Sequence, residues 1–371
     1  MRRKRDKVKV VVAMSGGVDS SVAAAILKQE GHQMIGVTMQ IWPSDKQPYE
    51  GDRFGGCCGL SAIDDARRVA YKLGIPHYVM NFRDVFAQKV IADFCREYSL
   101  GRTPNPCIRC NQYIKFDTLL KRAKELGADF VATGHYARIE RDEAKGRHLL
   151  KKGIDHSKDQ SYVLYPLTQE QIKHTLLPIG GFTKQRVREI ARDLGLPVAD
   201  KPESQEICFI PDDDYPKFLE EHIPQAVKPG AILNEQGSLL GRHRGILFYT
   251  VGQRKGLGIS AKEPLYVTAI DREKNAIVVG SKQKVYGNGL IASGLNWIAI
   301  ASLKQPIMVK AKIRYRYKEA EAEITPLDEE KVYVKFKEPQ MAITPGQAIV
   351  FYNGDTVLGG GTIGKSLGLA C

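Results

Sequence analysis

The sequence predicts an α/β amino-terminal part, built on a parallel sheet with helices on both faces, followed by a β-rich and barrel-like remainder. Up to about residue 215, short apolar runs alternate with helical stretches, the order that strands joined by crossover helices produce. Beyond that point the runs shorten and alternate, with β-branched and aromatic residues between Gly, Asn and Asp turns. With 371 residues and 43% hydrophobic content, the chain can bury two or three ordinary cores.

The elements follow in order. VKVVVAM (8–14) is a nearly continuous apolar run, suited to a strand buried on both faces. Ser20 to Glu30 is helical, and QMIGVTM (33–39) is a second strand. Helix SAIDDARRVAYKLG (61–74), strand HYVMNF (77–82) and a long helical stretch from Asp84 to Tyr98 come next. Helix FDTLLKRAKELG (116–127) and strand DFVATGH (129–135) complete the α/β pattern. The runs GILFYTVG, PLYVTAID, NAIVVGS, IMVKAKIRYRY, KVYVKF and QAIVFY then read as short strands. No internal repeat interrupts this order.

Lys and Arg number 55 against 42 Asp and Glu, a formal charge of +13. Such a surplus favours a polyanionic partner, because neutralising phosphates releases counterions; the plainer alternative is an ordinary basic surface. Basic residues gather at KIRYRYK (312–318), GRHRG (241–245) and GQRKGLG (252–258), with aromatics interleaved in the first, which favours nucleic acid. Seven thinly spread cysteines argue against a secreted disulfide framework and for a reducing compartment. The basic start carries an apolar run too short for a signal peptide and interrupted by Lys9, and no stretch approaches the roughly 18 apolar residues of a membrane span. A cytoplasmic location is expected.

AMSGGVDSS (13–21) falls between the first strand and the first helix. Its glycines let the backbone curl close to a ligand, and its hydroxyls and N–H groups sit at a helix N-terminus that favours phosphate. A simple capped β-to-α turn is the structural alternative. The full SGGVDS string after a strand resembles the PP-loop of the N-type ATP pyrophosphatases, which cleave ATP between the α and β phosphates to adenylate a substrate. A second phosphate-like string, GGGTIGKS (359–366), lacks the helix such a loop must open, since only LGLAC follows, so a terminal strand and turn are expected there.

Cys107 and Cys110, in TPNPCIRCNQYIKF (103–116), could be half a zinc site, a redox dithiol, a disulfide, or a pair of which one does chemistry. The other thiols form no second close pair of the zinc-ribbon kind: Cys57 and Cys58 are adjacent, while Cys95, Cys208 and Cys371 stand alone. Cys95 reads as core. The turn-forming TPNP is expected to keep the chain extended until a helix near Phe116, unlike a redox pair that opens a helix. Between Ile207 and Phe209, Cys208 reads on its own as a small buried hydrophobe.

The ordered set SGGVDS, GRTPNPCIRCNQYIKF, ATGHYAR, KDQSYVLY, SQEICFIP and TVGQRKGLGI, spanning from about residue 8 to the end, resembles the tRNA-specific 2-thiouridylases, the MnmA family. The resemblance implies a PP-loop adenylation and thiolation domain at 1–215, a small central tRNA-binding domain at 216–285 and a C-terminal β-barrel at 286–371. It also implies sulfur insertion at position 2 of the wobble uridine. The uracil oxygen leaves poorly, so ATP, with Mg2+, turns it into AMP while pyrophosphate departs. By the same resemblance Cys208 carries a persulfide received from a cysteine desulfurase or a sulfur-relay protein. Cys110 is its partner nucleophile, and a Cys110–Cys208 disulfide closes each cycle. The tRNA species implied are the Lys, Glu and Gln acceptors.

Carried over residue by residue, the resemblance puts ATP on Ala13, Met14, Ser15, Gly16, Gly17, Val18, Asp19 and Ser20, with Met39 and Gly134 at strand ends holding the adenosine. It puts tRNA on Asn105, Pro106 and Cys107, on His135, Lys158, Asp159 and Gln160, and on Arg314, Tyr315 and Gln347 of the barrel. Some family members have Asp where this chain has Cys107. With Cys110 and Cys208 that third thiol resembles the iron–sulfur sets of other tRNA thiolation enzymes, a second mechanism in which a cluster would bind hydrosulfide. Two further classes stand beside these: a PP-loop ligase of a small molecule, and an RNA-binding module with a vestigial ATP site.

Overall fold

A computed structural model describes residues 7–42, 60–203, 207–210 and 213–368. Contacts divide the chain into two compact units. One comprises Met1–Val90, Cys107–Asp213 and Asp355–Val357; the other comprises Ile91–Pro106, Asp214–Gly354 and Leu358–Cys371. Cys57, Cys58 and Cys371 lie outside the described residues.

The first unit opens with β1 (Lys9–Ala13), α1 (Val18–Gln29), β2 (Gln33–Gln40), α2 (Leu60–Leu73) and β3 (His77–Asn81). Later come β4 (Phe130–Ala132), the hairpin of β5 (Ala137–Asp142) and β6 (Arg147–Lys152), and β7 (Thr175–Leu176). Five of these strands pair in parallel in the order β3-β2-β1-β4-β7. Steps from β1 to β2 to β3 run one way and the step to β4 returns across β1. Right-handed crossovers therefore put α1 and α2 on one face and the helix Leu119–Glu125 on the other. Burial agrees with this. Val10 and Val12 pack with Val22 and Leu27 of α1, Val69 of α2 and Val187 of the helix Lys184–Asp193. Val11, on the opposite side of the pleat, is equally inaccessible, and Leu119–Glu125 packs on β4 there. Each such valine contributes about 1.5–3 kcal/mol relative to an exposed one, so the apolar run fixes β1 at the sheet centre.

In the second unit, β8 (Gly230–Leu233), β9 (Leu239–His243), β10 (Tyr266–Asp271) and β11 (Ala276–Gly280) form a four-stranded sheet in the order β10-β11-β8-β9. Then come β12 (Tyr286–Trp297), β13 (Ile307–Lys312), β14 (Ala320–Pro326), β15 (Lys331–Met341), β16 (Ala348–Asn353) and β17 (Thr356–Leu367). Their order is β12-β15-β14-β13-β16-β17, and pairing of β12 with β17 closes a six-stranded barrel. Every second residue points inward: Val332, Val334 and Phe336 of β15 meet Ala322 and Ile324 of β14 and Val309 and Ala311 of β13 in the core.

The string GGGTIGKS lies within β17, with Lys365 opposite Ile291 and Ser366 opposite Leu290. It is a strand, as its missing helix implies. GILFYTVG departs from expectation: Ile246–Phe248 is a single tight 3₁₀ turn with all three side chains buried, because a short apolar run is satisfied by any buried geometry. No helix among the described residues is long and apolar enough to cross a membrane.

Candidate active site

The phosphate-type loop and the TGHY segment meet at the carboxyl ends of β1 and β4, where the strand order reverses and open α/β sheets take ligands. Gly16 has φ +68°, and a Cβ there would stand 2.2 Å from the Ala62 carbonyl oxygen, so only glycine lets the loop pass α2. Gly17 caps α1 with no side-chain bond, which leaves first-turn N–H donors of the helix directed at the loop. The hydroxyls hold the loop from within. Ser20 Oγ accepts from Ser15 N (3.2 Å) and donates to the Gly17 carbonyl (3.1 Å), and Ser21 Oγ donates to the same carbonyl (2.8 Å). Gly134 presses on this turn: a Cβ on it would lie 2.6 Å from Asp19 C and Ser20 N. Met39, half-buried, closes β2 opposite Met80, and the Thr38 hydroxyl donates to the Met14 carbonyl at 2.8 Å.

A ring of charge surrounds the loop, and sequence reading missed most of it. Lys184 Nζ donates to both carboxylate oxygens of Asp19 at 2.8 Å and also reaches Glu203 at 3.0 Å. Tyr136 donates its phenol to Asp19 Oδ1 at 2.7 Å. Burial and the Asp19 charge push that phenol far above its ordinary range, so it remains a donor. Lys201 reaches the Gly16 carbonyl (3.2 Å) and Asp65. Burial works against the Glu203 charge, but bonds from Lys158 and Lys184 outweigh it and hold the carboxyl below its usual range. Gly16, Asp19, Tyr136 and Lys158 stood inside recognisable strings, whereas Asp65, Lys184, Lys201 and Glu203 did not; Lys184 and Asp19 are 165 positions apart and no local pattern links them.

The residues expected near a target base fall into this framework. His135 is buried and shares a 2.7 Å bond with Thr133 Oγ1. Burial, with the Lys115 charge added, holds its imidazole well below the usual range, so it is neutral near pH 7. Lys158 pairs with Glu203 at 2.8 Å. Asp159 accepts from Gly153 N, Ser161 N and Ser161 Oγ, and so shapes its own turn. Gln160 clasps Tyr136 by two bonds, its side-chain Oε1 accepting from Tyr136 N and its backbone N–H donating to Tyr136 O.

The thiols lie in helix, not in an extended stretch. A helix starts at Pro106 rather than near Phe116; proline suits a first helical position, where its missing N–H costs nothing. Pro106–Arg109 runs into a π-type stretch, Cys110–Thr118, in which Thr118 Oγ1 donates to the carbonyl of Tyr113 five residues back. Wide turns of this kind gather at functional sites. Cys107 is exposed, while Cys110 and Cys208 are half-buried, and the three-residue spacing puts the first two on one helix face. Arg109 and Lys89 both approach the Tyr113 ring, at 6.0 and 5.9 Å.

Cys208 is not the buried hydrophobe its neighbours suggest, because Phe209 and Ile210 take the core positions. Phe209 meets Phe86 edge-on at 5.5 Å, and the short helix Arg83–Phe86 itself packs on Cys110–Thr118. Cys95 is core, its thiol pushed up by burial to about 11. Among the described residues no three His, Cys, Asp or Glu side chains gather as metal ligands, so Cys107, Cys110 and Cys208 do not form one donor set here.

In the second unit, Asn105 and Pro106 end the segment that began at Ile91. Arg314 and Tyr315 follow β13 in a loop where Lys312 lies 5.7 Å from the Tyr315 ring and Arg314 lies 5.4 Å from that of Tyr317. Arg314 also donates to the Ala342 carbonyl (2.7 Å) and Thr344 Oγ1 (2.6 Å). Gln347 turns its amide nitrogen to the carbonyls of Thr103 (2.8 Å) and Pro104 (3.2 Å).

Three family models match consecutive stretches: a tRNA methyl transferase HUP domain over residues 8–212, a tRNA methyl transferase PRC-barrel domain over 216–281, and an aminomethyltransferase beta-barrel domain over 287–363. Among curated relatives, the tRNA-specific 2-thiouridylase MnmA 2 of Caldanaerobacter subterraneus is 58% identical over 97% of this chain and 98% of its own. The tRNA-specific 2-thiouridylase MnmA of Acetivibrio thermocellus is 57% identical over 96% and 99%, and that of Heliobacterium modesticaldum 59% identical over 98% and 94%.

Proposed function

The chain belongs to the tRNA-specific 2-thiouridylase family, and from there we propose that it adenylates position 2 of the wobble uridine in tRNA and replaces that oxygen with sulfur through a cysteine persulfide. The observation that carries the first half is the strand–SGGVDS–helix loop with Gly134 packed on its first turn, a phosphate cradle beside a strand-end cleft. Ala13 to Ser20 take the triphosphate, and Met39 and Gly134 the adenosine. Lys184 and Lys201 add the cationic charge that a departing pyrophosphate needs. Asp19 is the carboxylate that would hold Mg2+ accompanying the nucleotide, an ion that neutralises phosphate charge.

The uracil O2 attacks the α-phosphorus; the new O–P bond forms as the α–β bridge breaks, and pyrophosphate leaves. In the second half the terminal sulfur of a Cys208 persulfide attacks C2 and expels AMP. Cys110 then attacks the Cys208 sulfur, so that 2-thiouridine departs and a Cys110–Cys208 disulfide remains for a thiol reductant to open. Phe209, anchored on Phe86, keeps the Cys208 segment close to the helix that carries Cys110. The sulfur donor is a cysteine desulfurase or relay protein.

Asn105 to Cys107, His135 and Lys158 to Gln160 are tRNA contacts in this reading, as are Arg314, Tyr315 and Gln347, and the substrates are the Lys, Glu and Gln acceptors. The domains are 1–215, 216–285 and 286–371. The test is nucleoside analysis of bulk tRNA from a deletion strain with and without this chain. Restored 2-thiouridine is expected, and a methylated nucleoside in its place, or none, overturns the proposal.

A further inference from the structure

The π-type stretch that begins at Cys110 buries a polar side chain next to that thiol. Asn111 is 2% exposed and lies on the same stretch as the fully buried Ile114 and Phe116. Its amide nitrogen donates to the Val163 carbonyl at 3.1 Å, and because only the nitrogen can face a carbonyl, the orientation of the amide is fixed. Oδ1 is then buried with no hydrogen-bond partner among the described residues. An unmet buried acceptor costs stability, so packing alone does not explain an asparagine here. From Val163 the bonds continue. Its N–H donates to the Gln160 carbonyl at 3.1 Å, Gln160 holds Tyr136 through its own N–H (2.9 Å) and Oε1 (3.0 Å), and the Tyr136 phenol donates to Asp19 at 2.7 Å. Asn111, Val163, Gln160, Tyr136 and Asp19 all belong to the first unit. Further along the stretch Phe116 meets the His135 ring at 5.9 Å, but apolar contact is non-directional and a hydrogen bond is not.

We propose that Asn111 is a positioning residue for thiolation: by tying the first wide turn after Cys110 to Val163, it sets the Cys110 thiol in register with the chain of bonds that ends on Asp19 of the nucleotide loop. This rests on the reading that Cys110 is the nucleophile and Cys208 the persulfide carrier. In the step concerned, the Cys110 thiolate forms a bond to the Cys208 sulfur, the bond from that sulfur to the sulfur already on C2 breaks, and 2-thiouridine leaves with the electron pair. Adenylation comes earlier and makes no use of Cys110. Loss of the Asn111 tie therefore slows the last step and spares the first, since small misplacements of reacting groups are costly in rate.

The test compares the full-length wild type with Asn111→Leu, which keeps the bulk and removes the amide, and Asn111→Asp, which keeps the shape and donates to Val163 only when protonated. Each protein is loaded with persulfide by a cysteine desulfurase, freed of thiol reductant and given ATP and saturating tRNA for a single turnover. Pyrophosphate release, free 2-thiouridine and tRNA joined to protein by a reductant-sensitive bond are followed. In Asn111→Leu, pyrophosphate release is expected within about twofold of wild type, while 2-thiouridine release falls by on the order of tenfold and the tRNA–protein conjugate accumulates. In Asn111→Asp, the ratio of its 2-thiouridine rate to that of wild type is expected to rise as pH is lowered from about 8 to 6, because burial favours the protonated carboxyl. A full 2-thiouridine rate in Asn111→Leu overturns the proposal, as does a loss of pyrophosphate release in step with it, which would make Asn111 a general support of the domain. If Asn111→Leu does not fold, Asn111→Asp decides, and a ratio flat with pH, or an unfolded protein, overturns the proposal. A wild type that makes no 2-thiouridine sinks the underlying function instead, and one that never forms the conjugate, even with Cys110→Ser, sinks the persulfide reading.

Discussion

Lys184 Nζ lies 2.8 Å from each carboxylate oxygen of Asp19, and the two residues are 165 positions apart. One sits at the first turn of the helix behind the SGGVDS loop, the other at the start of the helix Lys184–Asp193. The cation neutralises the carboxylate beside a cradle shaped for polyphosphate. A triphosphate competes for the same ammonium.

Lys184→Met should therefore cripple adenylation. It leaves Asp19 and Glu203 facing the loop without their shared cation. AMP formation should fall by roughly a hundredfold, while tRNA still binds. AMP release measured with saturating tRNA checks this, and a wild-type rate would contradict it.

A pH signature should come from His135. Its folded-state affinity for protons is held well below the ordinary value of 6.5 by burial and then by Lys115. Below about pH 6.5 the unfolded chain takes up a proton that the folded one refuses, so stability falls as pH drops and the effect vanishes above that pH. The maximal slope for one such group is about 1.4 kcal/mol per pH unit. His77, His148 and His243 are shifted in the same direction, so the informative quantity is the difference between wild type and His135→Gln. Denaturant unfolding between about pH 5 and 7 should give a shallower dependence in the variant; superimposable curves would contradict it.

Arg314 has two roles to separate. Arg314→Ala removes the bonds to Ala342 and Thr344 and one cation from the basic loop. tRNA affinity should weaken, and the log–log salt slope should shrink by about one per lost phosphate contact. Filter binding across salt concentrations measures it. An unchanged slope would mean that the guanidinium serves only to brace the loop.

Much of this molecule was legible in the sequence. The run Val10-Val11-Val12 demanded burial on both faces, and the central strand of the parallel sheet supplies it. Missing helix context correctly demoted GGGTIGKS, which is strand. What escaped depends on distant or geometric information. The pairing of Lys184 with Asp19 has no local signature, and helical periodicity cannot announce the wide turns from Cys110 to Thr118. The prolines of TPNP favour an extended chain as far as Phe116, but Pro106 is itself the first residue of a helix. The hairpin of β5 and β6 went unseen because its strands, ARIERD and RHLLKK, are too charged to stand out by hydrophobic alternation.

The two thiols of TPNPCIRCNQYIKF are proposed to be inequivalent, with Cys110 as nucleophile and Cys107 lining the base pocket. Single Cys107→Ser, Cys110→Ser and Cys208→Ser proteins, each purified in air and without oxygen, should be assayed for 2-thiouridine formation on tRNA and for iron. Persulfide chemistry predicts that Cys110→Ser and Cys208→Ser are inactive under both conditions, that Cys107→Ser keeps part of its activity, and that the wild type works in air. Equal loss in all three variants, with a wild type that carries iron and works only without oxygen, would contradict it and assign the three cysteines to a cluster.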